Sequence, residues 1–303
     1  VSIDIFGFVA LWSPYYFMFV LSLLIAYFVF TGPLRDNFKD AAPPTTKEQS
    51  YFVASMVLLY AVKGSPIDLL SHLSFSAHMV QMALLYLVIP PLVIKGIPNW
   101  LWRGILRIPP IHFIFKLAAK PLVAIILFNF VFSMYHMPVV FETVKSHWFY
   151  HGIMTTTIFI LALLMWWPML TTIQEWMKLS HLQKIGCIFL GGVLLTPACA
   201  LLIFADVPLY STYTDPDAWA QALALCVPAD VLASANIGSP EMFQWLPVQE
   251  DQQLGGVLMK IMQEIVYGIV LFRVFFAWFN RENRKVDELP EEYRLTEDPQ
   301  PTK

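Results

Sequence analysis

Apolar residues in this chain gather into long blocks instead of one-sided stripes. Seven blocks, near residues 13–32, 48–64, 72–95, 118–137, 148–171, 182–206 and 253–279, are each about the length that crosses a bilayer as a helix, roughly 20 residues. The pattern predicts an all-α polytopic membrane protein with seven transmembrane helices over residues 1–279. Lys63-Gly64-Ser65-Pro66 ends the second block abruptly. Pro90-Pro91 is expected to break the third near its far end, and Pro197 to kink the sixth. One connection, 207–252, is far longer than the rest. Its Trp, Pro and Tyr content predicts a folded lid rather than a loose linker. From about residue 280 to residue 303 the chain is charged and Pro-containing and is expected to form a tail with little fold of its own.

Composition agrees with the blocks. Of 303 residues, 57% are hydrophobic and only 14% charged, which no ordinary soluble domain shows. A net charge of −3 excludes a broad basic surface for nucleic acid. The start lacks the basic region, short apolar core and small-residue cleavage site of a signal peptide, so none is expected. Cys187, Cys199 and Cys226 are too few and too scattered for a disulfide framework.

The basic residues set an orientation. Sixteen Lys and Arg fall in the connections 33–47, 95–120 and 172–184 and toward the C-terminus, whereas Lys63 and Lys145 are alone on the other side. By the positive-inside rule the N-terminus lies outside and the C-terminus inside. The 207–252 lid is then extracytoplasmic. It holds no Lys or Arg and several carboxylates, Asp251 at its end among them.

With that orientation, soft donors collect at the outer ends of the helices. The third block opens with His78, Met79, Gln81 and Met82. The fourth closes on Met134-Tyr135-His136-Met137. The fifth opens with His151 and Met154, and the sixth carries Cys199 in its outer half. His78 and Met82, four apart, share a helix face, as do His151 and Met154, three apart. Imidazole and thioether together suit a soft monovalent metal, Cu(I) above all. The candidate ligands are therefore His78, Met82, His136 and His151, with Met79, Met134, Met137, Met154 and Cys199 in support. A plainer reading competes for each. Met commonly fills gaps in apolar cores, and isolated interfacial histidines such as His72, His112, His147 and His181 read as helix-end groups. Cys226 reads as a free lid thiol or a disulfide partner of Cys199. Lys260 and Glu264, four apart inside the last block, are either a mutually neutralised pair or an ion relay with Asp251 at its mouth. No nucleophile triad, phosphate-binding loop or dinucleotide fingerprint occurs, so an enzyme is not expected.

Several motifs in order resemble one family. They are Leu11-Trp12-Ser13-Pro14-Tyr15, Lys63-Gly64-Ser65-Pro66-Ile67-Asp68, His78-Met79-Val80-Gln81-Met82, Met134-Tyr135-His136, Trp166-Trp167-Pro168-Met169, Leu195-Thr196-Pro197-Ala198-Cys199-Ala200 and Glu250-Asp251-Gln252-Gln253-Leu254-Gly255-Gly256. The chain is similar to the CtaG-type cytochrome c oxidase assembly factors of Gram-positive bacteria, over nearly its whole length up to the tail. That resemblance implies a multi-pass cell-membrane protein needed to form a caa-type haem–copper oxidase. It also implies a copper role directed at oxidase subunit I. Membrane lipid, other copper chaperones and a second copy of the chain are further partners it admits. Wider members resemble His-Met-x-Gln-His where this chain ends in Met82, and thioether in place of imidazole favours Cu(I). The leading expectation is a Cu(I)-handling assembly factor. Its alternatives are a metal-free scaffold for oxidase subunits and a membrane protein binding haem between two histidines.

Overall fold

A computed structural model of the protein describes residues 3–38, 40–176, 179–228, 231–232 and 240–287, and these are 82% helical with no strand. The helices are α1 (Pro14–Thr31), α2 (Thr46–Lys63), α3 (Pro66–Leu73), α4 (Phe75–Gly96), α5 (Asn99–Leu106), α6 (Pro109–Ala118), α7 (Pro121–Tyr135), α8 (Pro138–Lys145), α9 (Trp148–Leu170), α10 (His181–Ile203), α11 (Pro216–Leu223) and α12 (Val248–Asp287). Five stretches are long and apolar enough to cross a membrane as single helices: Ile3–Thr31, α4, α9, α10 and Val248–Arg284. Counting each bent pair, α2 with α3 (45°) and α6 with α7 (91°), as one span raises the number to seven.

Local chemistry explains where the helices begin. Proline, whose missing N–H costs nothing in a first turn, opens α1, α3, α6, α7, α8 and α11. Thr45 with Glu48, and Ser180 with Gln183, form reciprocal capping boxes at α2 and α10.

The expected break at Pro90-Pro91 is replaced by a wider turn. Leu84–Val88 winds as a π-helix and α4 continues to Gly96. The extra residue in that turn relieves the clash between a proline ring and the preceding carbonyls. Helix α10 likewise runs through Pro197 without ending. The last helix starts at Val248 rather than near 253 and continues to Asp287, past the point where the tail is expected; residues 288–303 lie outside the described residues.

Helix α12 packs on α4 and α10, with Gly255 and Gly256 at the closest approach. A Cβ on Gly255 would come within 2.8 Å of the Phe75 ring, and one on Gly256 equally close to Ile203. At the other end, Gly96 brings α4 onto α2. Its added Cβ would lie 2.5 Å from the Phe52 backbone nitrogen and 2.7 Å from its Cα. Backbone cannot swing aside as a side chain can, so Gly96→Ala is expected to cost about 3 kcal/mol. A lowered thermal midpoint of the purified protein in micelles checks it.

The two ends of the bundle differ. One is closed by interlocked indole and phenyl rings: Trp102, Phe115 and Trp176 all pack on Trp167, at centroid distances of 4.8, 5.2 and 6.3 Å. The lid covers the opposite end. Phe6, Leu69, Leu73, Trp219, Leu223 and Phe243 form a second small core that fixes it to α3 and to the N-terminal turns.

Candidate metal centre under the lid

Ser74 organises the site. Its extended backbone (φ −137°, ψ 135°) ends α3 and caps α4, so two helices meet at an angle instead of forming one rod. His72 in the last turn of α3 and His78 in the first turns of α4 are thereby placed near one another. The Asp251 carboxylate locks the junction. It accepts from the Phe75 N–H (2.6 Å), the Ser76 N–H, and the hydroxyls of Ser74 (2.9 Å) and Ser76. A carboxylate there also faces the positive end of the α4 dipole. Asp251→Ala leaves four donors without their acceptor and is expected to cost about 2 kcal/mol. A fall in thermal midpoint that Asp251→Asn only partly reproduces is the measurement.

Two further histidines join from other helices. His136 caps the C-terminus of α7, and His151 lies in the first turn of α9. The imidazoles form two pairs, His72 with His151 (ring centroids 5.9 Å apart) and His78 with His136 (6.2 Å). His72, His78 and His136 are fully buried. Aromatic rings enclose His78: Phe141 at 5.3 Å, Phe75 at 5.8 Å and Tyr135 at 5.9 Å. Tyr210 of the lid stacks on Phe75 and donates its hydroxyl to the His136 carbonyl (2.7 Å), while Tyr213 donates to the Ser71 carbonyl (3.1 Å). The lid is thus bonded directly to the backbone that carries the histidines.

Hydrogen bonds fix two tautomers. A carbonyl cannot donate, so His136 Nδ1–H donates to the Phe132 carbonyl (2.7 Å) and His72 Nδ1–H to the Asp68 carbonyl (2.9 Å). Each Nε2 then carries a lone pair, and both are buried without a partner. Both ring nitrogens of His78, Nδ1 of His151, the Tyr135 hydroxyl and Lys145 Nζ are buried and unpaired as well. Leaving such a group unmade costs about 1–3 kcal/mol. A ring that gives one nitrogen to a carbonyl and presents the other bare is arranged as metal-bound histidines usually are.

Among the described residues no three His, Cys, Asp or Glu side chains are gathered as a ready-made site. The donors come in twos, which suits an ion that accepts few ligands. Two imidazoles sharing one ion at about 2.0–2.1 Å per nitrogen would have rings at roughly the separations seen.

The thioethers divide. Met82, one turn beyond His78, is buried, and Met154 is partly buried one turn beyond His151. Met79 is buried but turned toward Gly255 of α12. Met134 and Met137 are 38% and 43% exposed, so they face outward. Cys199 is buried where α10 packs on Gly256 of α12, and all three cysteines are free. Lys260 and Glu264 pair at 2.8 Å with side chains 30% and 63% exposed, and Lys260 also reaches Thr196. That pair braces α12 against α10 at the perimeter.

His72 and Lys145 are the residues that the periodicity hides. The break at Ser74 takes His72 out of register with His78, and Lys145 registers only as a lone charge. His147, in contrast, is a helix cap, accepting from the Phe149 N–H. Lys145 ends α8 at 1% exposure, with the Phe141 ring 5.7 Å from its Nζ. Burial and then the nearby Lys63 charge push its ammonium down to about 7, against the pull of Asp68 and Cys226. Burial and the Asp68 carboxylate push the Cys226 thiol up to about 12.

Neither curated proteins nor solved structures give a match to the chain. A family model described as cytochrome c oxidase caa3 assembly factor (Caa3_CtaG) matches residues 25–281, which include every histidine of the buried cluster. An all-helical bundle with several helices fit to cross a membrane, and a match over most of its length, place this chain in the caa3 cytochrome c oxidase assembly factor family.

Proposed function

We propose that the chain carries Cu(I) on its buried histidines beneath the lid and helps deliver it to subunit I of the oxidase. The observation that supports this most is the set of buried, unpaired imidazole nitrogens on four separate helical segments. Their hydrogen-bonded Nδ1 atoms at His72 and His136 prepare Nε2 for a metal. Copper here is cargo, and pairs of neutral donors would let it leave more readily than a closed four-ligand cage. His78 and Met82 supply one face, His136 the other, and His151 with His72 a second pair. The excess of Lys and Arg at the opposite end supports reading this end as the outer one, in the cell membrane of a Gram-positive bacterium. The tight ring packing around His78 suits a small ion better than a haem macrocycle.

Loading the purified protein with Cu(I) under reducing conditions, followed by mass spectrometry, tests the reading. One or two coppers per chain, retained through desalting, are expected. No retained copper, together with copurification of subunit I, would leave a metal-free scaffold as the function.

A further inference from the structure

A cleft of about 820 Å³ opens beside α1, away from the histidines. Helix α1 leans on α2 and leaves a gap toward α4, α5 and α9. The walls are apolar, with Leu23, Ala26, Phe52, Met56, Val93 and Phe159 among them. One charged side chain lines the cleft, that of Lys63. It stands at the last residue of α2, level with Tyr16 in the first turn of α1. Asp68 takes one of its ammonium donors, and an ammonium has three.

Shape points to the occupant. From Phe52 to Lys63 along α2 the cleft runs about 16 Å, and its apolar wall suits an extended hydrocarbon chain. A cation at one rim of an otherwise oily slot calls for an acidic head on that chain.

We propose that this cleft binds one acyl chain of an anionic phospholipid, its phosphate at Lys63 and its chain lying between α1, α2 and α9. The site also touches the histidine cluster through protein. The Asp68 carboxylate that pairs with Lys63 accepts from Gln81 Nε2 (2.8 Å), and the Asp68 carbonyl holds the His72 ring. The proposal stands whether or not copper binds.

The test uses the full chain in micelles, stripped of lipid and then offered phosphatidylglycerol or phosphatidylcholine with identical chains, with native mass spectrometry as readout. One retained lipid is expected, with about a fivefold preference for the anionic head, the effect of a single lysine. Lys63→Gln should abolish the preference and Lys63→Arg keep it. Ala26→Phe should fill the slot and abolish retention of both lipids. Should Ala26→Phe fail to fold, Gly104→Leu blocks the other end, where an added Cβ meets no atom within 4 Å. The proposal is overturned if the native chain retains no lipid, if filling the slot leaves retention unchanged, or if the preference survives Lys63→Gln. A photo-crosslinker at position 26 that captures a membrane polypeptide instead of lipid overturns it too.

Discussion

Replacing His78 and His136 together by alanine is expected to weaken Cu(I) binding more than a hundredfold. Loss of a hydrogen-bond partner behind a metal-bound histidine already costs about 10–100-fold, and here two ring donors disappear. Both rings are fully buried with centroids 6.2 Å apart, so bulk water has little access to take their place. Competition against a colorimetric Cu(I) chelator measures the change. His112→Ala should leave affinity as it was, because His112 Nδ1–H donates to the Leu106 carbonyl at the far end of the bundle. A double variant that binds as tightly as the native chain would remove the buried cluster as the copper site. In cells lacking the native chain, the double variant should also fail to restore oxidase activity.

Lys145→Met should make the protein more stable at neutral pH, by about 2–4 kcal/mol. The lysine is buried, its Nζ lacks a hydrogen-bond partner, and methionine has a similar length with no charge to desolvate. The sign follows from proton uptake. The ammonium titrates near 7 in the folded chain against 10.5 when solvated, so between these values the unfolded chain binds the extra proton. Native stability from this group therefore falls as pH drops from about 10.5 to 7 and levels off below. The gain in the methionine variant is largest at pH 7 and below and fades toward pH 10. Thermal midpoints of both proteins across pH 6–10 read it directly, and a constant difference would contradict the burial argument.

The helices were legible from hydropathy because bilayer solvent demands long apolar runs. What hydropathy could not show was angle. Residues 95–120 look like one basic connection, yet they hold α5 and α6, and α6 turns 91° before α7 enters the bundle. His78, His136 and His151 were visible from their common end of the chain's spans. His72 lies at that end too but read as a helix-end group, because a six-residue spacing from His78 fits no helix face until Ser74 breaks the helix. Met134 and Met137 flank His136 in sequence yet are 38% and 43% exposed, because neighbours one or two apart on a helix point in different directions. Lys145 carries no local pattern at all, and its burial follows only from the way α8 folds under the lid.

Trp102, Phe115, Trp167 and Trp176 make the end opposite the lid a dry wall of rings. On the proposed copper reading, that apolar barrier opposes onward passage of an ion from the imidazoles. Pick-up and hand-over would then share a single doorway, and whichever molecule collects the cargo must wait its turn on the face where it was delivered.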